Sequence, residues 1–308
     1  MSKKPIIPIF YAADGNYLPY LAVSLSSLKE NASREYHYEI YVLHADMSKE
    51  AQHGLDEYVD EDFSIQFLNI STRLDEIKTS LSLRDYYTGA TYYRIFIASM
   101  FPQFDKALYL DSDIILLGDV SELYNVELGD TLVGAIPDGA VAAVPEFRLY
   151  TKETLGIDAE KYFNAGVLVM NLKEFRKEDF YGKFCSLLQA YKFVVAQDQD
   201  YLNVLCKDKV TYLGEEWNRM PIGGDGDIPK LIHYNLTMKP WHYEGTLFEE
   251  YFWKYARRSA FYERMRGELL SYDEEKKAKD AECEKALIAL AVAEAKRADN
   301  YAKRIQDK

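Results

Sequence analysis

The sequence predicts an α/β fold: a mostly parallel sheet flanked by helices, followed by a C-terminal helical appendage. Three observations predict it. Short apolar runs alternate from Ile6 onward with longer segments of helical periodicity, the pattern of βαβ units. Ala107-Leu108-Tyr109-Leu110 is apolar throughout, as a strand buried on both faces must be, and it ends in Asp111-Ser112-Asp113. After Trp241 the composition changes. Phe248 to Leu270 interleaves aromatics with Lys254, Arg257, Arg258, Arg264 and Arg266, and Tyr272 to Lys308 is rich in Ala, Glu and Lys, with no Pro or Gly. Residues 1–244 therefore read as the sheet domain and 245–308 as a helical add-on.

Taken in order, Ile6 to Ala13 is a strand that meets the turn Asp14-Gly15-Asn16. In Tyr17 to Glu30, Leu18, Leu21, Leu25 and Leu28 recur at helical spacing, with Asn16 placed to cap. Neither Gly-x-Gly-x-x-Gly nor Gly-Lys-Ser/Thr occurs here, so dinucleotide and P-loop readings lose support. Tyr38 to Leu43 and Ser64 to Ile70 read as strands around a helix, Ser48 to Val59. Thr91 to Phe101 is a helix carrying Arg94 and closed by Pro102. Leu132 to Ile136 is a strand ending at Pro137-Asp138, and Ala140 to Lys161 reads as a loop region with one short helix. Asn164-Ala165-Gly166 opens the strand Val167 to Met170, and Glu178 to Phe193 is an amphipathic helix. Gln197-Asp198-Gln199-Asp200 stands before the helix start Tyr201 to Leu205. Val210 to Leu213 is a strand, Gly223 to Gly226 a flexible loop, and Lys230 to His233 a last strand with histidine at its end.

Composition narrows the function. With 37 basic and 50 acidic residues the net charge is −13, which excludes a nucleic-acid binder that would need a basic footprint. Hydrophobic residues make up 48%, enough for a sizeable core. Cys185, Cys206 and Cys283 are scattered, as suits a reducing cytoplasm, and Met1 to Pro8 shows no signal peptide. No window reaches the roughly 18 apolar residues of a membrane span. The 26 tyrosines serve packing, or offer faces on which sugars and bases stack.

Two carboxylates closing a buried strand need a partner, because an unpaired buried charge is costly. A divalent cation held by oxygen ligands meets that need. An isolated Asp-x-Asp more often caps a turn, and a lone His more often sits satisfied in a core. Here His233 stands six residues before Lys239-Pro240-Trp241, offering an imidazole and a nearby ammonium. Two carboxylates and an imidazole suit Mn²⁺ better than Mg²⁺, and the lysine reads as a phosphate partner.

These residues belong to a wider pattern: Phe10-Tyr11-Ala12-Ala13-Asp14-Gly15-Asn16-Tyr17, Thr91-Tyr92-Tyr93-Arg94, Tyr109-Leu110-Asp111-Ser112-Asp113, Tyr162-Phe163-Asn164-Ala165-Gly166-Val167, Asp198-Gln199-Asp200 with Leu202-Asn203, and His233 with Lys239-Pro240-Trp241. In these six blocks, from Ile6 to Trp241, the chain resembles the family-eight retaining glycosyltransferases, the group of the bacterial lipooligosaccharide galactosyltransferases and glycogenin. The resemblance implies a GT-A fold, which is Rossmann-like, and a UDP-sugar donor carrying galactose or glucose. It implies that Asp14, Asn16 and Tyr17, beside Ala12, hold uracil and ribose, and that Asp111, Asp113 and His233 ligate Mn²⁺, with Mg²⁺ as substitute and Ser112 between the carboxylates. Lys239 would neutralise the departing diphosphate. Arg94, Asn164, Ala165, Asp198 and Gln199 would surround the donor sugar, with Gln199 and Asp198 as the catalytic pair.

The match weakens on the acceptor side. Leu236 stands where the resembled galactosyltransferases have glycine, and Ala196 lacks an aromatic used near their acceptor. The expected acceptor is a glycan or glycoprotein, and the expected location is the cytoplasm, with peripheral contact at the inner membrane surface. A self-glycosylating initiator, a non-catalytic nucleotide-sugar binder and a nucleotidyltransferase are the competing readings. The last would need a glycine-rich basic phosphate loop near the N-terminus, which the sequence lacks.

Overall fold

The computed structural model describes residues 4–77, 89–223 and 229–306. Residues 224–226 of the expected Gly223–Gly226 loop lie outside them. Nine strands are described: β1 (Ile6–Ala12), β2 (His37–His44), β3 (Phe63–Asn69), β4 (Ala107–Leu110), β5 (Ile114–Leu116), β6 (Val133–Pro137), β7 (Phe163–Met170), β8 (Val210–Tyr212) and β9 (Leu231–His233). Seven form one sheet in the order β3-β2-β1-β4-β7-β6-β8, and β5 pairs with β9 in a separate antiparallel ribbon. The first four strands of that order are parallel, as is the β6–β8 pair. Strand β7 runs antiparallel to both its neighbours, the departure from an all-parallel sheet.

Side-chain alternation builds the layers. Along β1, Ile7, Ile9 and Tyr11 enter the core on one face of the sheet and Phe10 the core on the other. Strand β4 divides the same way, Leu108 and Leu110 against Ala107 and Tyr109. Asp111 continues the parity of Tyr109, whose hydroxyl donates to Asp111 Oδ1 at 2.8 Å. Between β6 and β7 the register shifts at Ala135/Ile136, so Ala135 faces Leu168 but Ile136 faces Asn164. That bulge leaves Ala165 to Val167 without partners on β6.

Helix α1 (Leu18–Asn31) follows the first turn, with Pro19 in its first turn. Its start is not capped by Asn16. No side chain caps it; Asp14 Oδ1 instead closes the preceding turn, accepting from the Asn16 and Tyr17 N–H groups at 2.8 and 3.0 Å. The expected Ser48–Val59 helix breaks at Gly54 into Lys49–His53 and the 3₁₀ turn Asp56–Tyr58. Arg94 lies on a 3₁₀ segment, Gly89–Phe96, which becomes α-helical only at Ile97–Met100. Residues 140–161 are more helical than their composition implies, and include α2 (Pro145–Tyr150).

Helices α3 (Asp198–Leu205), α4 (Glu249–Ala256), α5 (Tyr262–Leu270) and α6 (Glu274–Lys296) complete the elements used below. The aromatics of α4 and α5 turn inward. Phe252, Trp253 and Tyr255 pack with Tyr20 and Val23 of α1 and with Ile115 and Ile232 of the ribbon. Trp241 stacks on Tyr20 with ring centres 3.8 Å apart. Lys254 and Arg258 pair with Glu30 of α1, so the aromatic-basic pattern serves packing on the sheet domain. Helix α6 does not pair with a neighbouring appendage helix along its length. It lies against α2 and Thr151–Leu155, and its Ala291 enters the main core. No described helix is long and apolar enough to cross a membrane.

Candidate active site

Strands β1, β4 and β6 run in one sense, so Asp14, Asp111 and Asp138 follow their carboxyl ends on one edge of the sheet. Strand β7 runs the other way and brings its second residue, Asn164, to the same edge. The strand order reverses between β1 and β4, the position at which open α/β sheets leave a crevice. A cavity of about 270 Å³ opens there.

Asp111-Ser112-Asp113 links β4 of the large sheet to β5 of the ribbon. In the ribbon Ile114 lies opposite His233, so pairing carries the imidazole to the two carboxylates. Main-chain bonds fix both ends: Asp111 N–H donates to Gly166 O at 2.8 Å, and Tyr234 N–H to Asp113 O at 2.9 Å. Ligand atoms of Asp111, Asp113 and His233 lie within 4.8 Å of one another. His233 Nε2 is 3.4 Å from Asp113 Oδ1 and 3.8 Å from Asp111 Oδ2. Its Nδ1–H donates to Asn218 Oδ1 at 2.9 Å, which turns the Nε2 lone pair inward. A Cβ on Gly166 would collide with His233 Cε1 and come within 2.5 Å of Asp111 Oδ2, so glycine keeps this space clear. Two carboxylates, one oriented imidazole and a cleared space fit a divalent metal.

Lys239 Nζ sits 2.6 Å from Asp113 Oδ2 and donates to Tyr234 O at 2.7 Å. Burial alone would raise the Asp113 carboxyl, but Lys239 and His233 outweigh it and hold it far below the usual carboxylate range. Asp113 is therefore ionised throughout the neutral range, as a metal ligand must be.

Arg94, only 4% exposed, links Asp111 to Asp198. Its guanidinium lies 4.4 Å over the Tyr109 ring, with Nη2 3.4 Å from Asp111 Oδ1 and Nε 3.0 Å from Asp198 Oδ2. Nη1 donates to Ala165 O. Burial pushes the Asp198 carboxyl up to about 6, against the pull of Arg94. Gln199 Oε1 accepts from Ala165 N–H at 3.0 Å and Nε2 donates to Asp138 Oδ2 at 3.0 Å, which fixes the amide. Asp200 is fully buried and accepts from Tyr150 OH, Tyr162 OH and Ala196 N–H, anchoring the start of α3.

The cavity gathers Ala12, Asp14, Tyr17, Arg94, Asp111, Ser112, Asp113, Asn164, Ala165, Asp198, Gln199, His233, Leu236 and Lys239. Asn16 is exposed and does not line it. Sequence reasoning missed Asp138, Gly166 and Asn218 as working residues. Asp138 had a findable signal, the same as Asp111: a carboxylate closing a buried strand. Asn218 had none, since only tertiary folding brings it to His233.

A family model for glycosyl transferase family 8 matches residues 8–245. The chain belongs to that family. Among relatives of this glycosyltransferase, the Escherichia coli lipopolysaccharide 1,2-glucosyltransferase is 27% identical over 256 residues, covering 76% of this chain and 72% of that one. The crystal structure of galactosyltransferase LgtC in complex with donor and acceptor sugar analogs superposes with a TM-score of 0.72 at 28% identity, covering 85% of this chain and all of that one. The bifunctional glycosyltransferase WbbM shares the fold, with a TM-score of 0.76 at 24% identity over 88% of this chain and 53% of that one. The GT-A architecture expected from the sequence is thus the one observed.

Proposed function

We propose that this family-8 enzyme transfers galactose or glucose from a UDP-sugar to a glycan or glycoprotein acceptor, with net retention and dependence on Mn²⁺, which Mg²⁺ replaces less well. The observation that carries the proposal is the Asp111–Asp113–His233 cluster with Lys239 beside it, at the carboxyl edge of the sheet. Breaking a sugar–phosphate bond leaves negative charge on the diphosphate, and fixed cations stabilise it. Lys239, held by Asp113 and Tyr234 O, supplies one of them. A metal held by the cluster would supply Lewis-acid stabilisation of the same oxygens.

Asp14 and Tyr17, with Asn16 in the same turn, hold uracil and ribose in this reading. Asn164, Asp198 and Gln199 surround the donor sugar, whose anomeric carbon gains positive character that a neighbouring oxygen stabilises. Residues 1–244 form the catalytic domain and 245–308 the add-on, in keeping with a family match that stops at 245. The setting proposed is cytoplasmic, with contact at the inner membrane surface.

The test is a screen of nucleotide sugars by UDP release, with Mn²⁺, Mg²⁺ or chelator. UDP-galactose or UDP-glucose should turn over with Mn²⁺ and not in chelator. Turnover unaffected by chelator, or of other sugars only, overturns the proposal. NMR of the first product should show an α linkage, and intact-mass analysis shows whether hexose lands on the protein itself.

A further inference from the structure

We infer that the C-terminal helix α6 walls the acceptor subsite and that Asp280 on it selects a neutral sugar over an acidic one. The inference rests on the glycosyltransferase reading and adds the acceptor's chemical class to it. The cavity does not stop at the donor residues. It continues to Tyr272, Asp280 and Leu287, all beyond residue 245, where the family match ends. The family pattern therefore cannot specify this wall.

Asp280 and Leu287 are seven residues apart, two helical turns, and so share one face of α6. Asp280 Oδ2 accepts from Tyr243 OH and Tyr272 OH, both at 2.6 Å, which fixes the carboxylate at the cavity wall. Tyr272 stacks on His242 with ring centres 4.0 Å apart and planes within 11°, and His242 Nε2 is 3.0 Å from Glu268 Oε1. Phe147, on the helix against which α6 packs, lines the same cavity. A pyranose has a rim of hydroxyls and apolar C–H faces. A carboxylate receives the hydroxyls, and aromatic and aliphatic side chains cover the faces. A uronate or phosphorylated sugar would set its own charge against Asp280 and Asp138, a like-charge penalty in a partly dehydrated space. Among the described residues the arginine and lysine that line the cavity are Arg94 and Lys239, and each already faces a carboxylate, Asp111 or Asp113.

The probes are p-nitrophenyl β-galactoside, β-glucoside and β-glucuronide with the full-length protein. Binding is read by saturation-transfer NMR, which needs no turnover, and transfer by product formation. The wild type should bind the neutral glycosides about tenfold more tightly than the glucuronide. Asp280→Asn should raise the KM for the neutral glycosides about tenfold and shrink that preference, with UDP affinity unchanged. Leu287→Asn should raise the same KM and leave the preference intact. Glu282→Gln, exposed on the opposite face of α6, should alter neither. If Asp280→Asn does not fold, Leu287→Asn decides the subsite and the wild-type preference decides the charge rule. Glucuronide bound as well as the neutral sugars, or Leu287→Asn with wild-type KM, overturns the inference. Failure of the donor reading would show separately, as absence of UDP release with any sugar.

Discussion

At the end of the cavity that holds Asp111, Asp113 and His233 the side chains hang from the sheet and ribbon. Asp111 follows β4, Asp138 follows β6, His233 ends β9 and Asn164 is the second residue of β7. Their places are set by main-chain hydrogen bonds, which cannot shift without leaving buried polar groups unpaired. At the far end Phe147, Tyr272, Asp280 and Leu287 hang from helices and their connections, which meet through side chains. Packed helices re-seat by an ångström or two at modest cost, and strands in a ladder do not. The difference separates two tasks. On the proposed function, charge stabilisation, which needs rigid placement, falls to the sheet, and acceptor choice, which tolerates adjustment, falls to the helices.

The largest effect should come from breaking the rigid end. Asp113→Ala removes a metal ligand and the partner of Lys239, so kcat/KM should fall about a thousandfold or more, several kcal/mol of barrier, with unchanged circular dichroism. A mutant as active as the wild type in chelator would end the metal reading. Gly166→Ala should follow, since its methyl must displace His233 or Asp111. Apparent Mn²⁺ affinity, read by electron paramagnetic resonance, should drop about tenfold to a hundredfold.

Gln199→Ala should lower kcat more than it raises the donor KM, because Oε1 and Nε2 are already fixed by Ala165 and Asp138. A pure KM change would make Gln199 a binding residue. Acid should act through Asp198, ionised and paired with Arg94 only above about pH 6, so kcat/KM should decline as pH falls through that value. Its effect on stability has the opposite sign. The folded carboxyl binds its proton more tightly than the unfolded one, so between pH 6 and the ordinary carboxylate range this group favours the native state as pH drops. Arg94→Lys should move the limb, and a profile flat to pH 5 would remove Asp198 from the chemistry. The smallest effect belongs to the loop that follows β9. Leu236 has φ of 55°, a left-handed conformation costly for a branched side chain, and it lines the cavity. Leu236→Gly should raise stability by up to about 1 kcal/mol and widen the range of acceptors used. A lower unfolding midpoint would show that the side chain supports the loop.

Much of the rigid end was legible because strand ends carry their own signal. Ala107 to Leu110 could only be a buried strand, and the carboxylates after it had to be satisfied. Helix limits were less legible. Gly54 splits what looked like one helix, and residues 140–161 hid several, since short helices with weak periodicity are held by tertiary contacts. The role of α6 was illegible in composition. Its charges are spread around the helix, and only the packing against α2 shows that Asp280 and Leu287 face the cavity.

The register shift between β6 and β7 has a bearing on how this site tolerates change. A sheet in full register consumes its own peptide groups and has none left over for chemistry. Here the Ala165 N–H reaches Gln199 Oε1, the Ala165 carbonyl takes Arg94, and the Gly166 N–H goes to Asn164 Oδ1. These are vacated sheet valences, and three separate parts of the site plug into them. Deleting the three residues Ala165 to Val167 would let the β6–β7 ladder close and reclaim them. The fold would lose little and the site would lose its sockets, so the length of this short stretch is constrained as well as its glycine at 166.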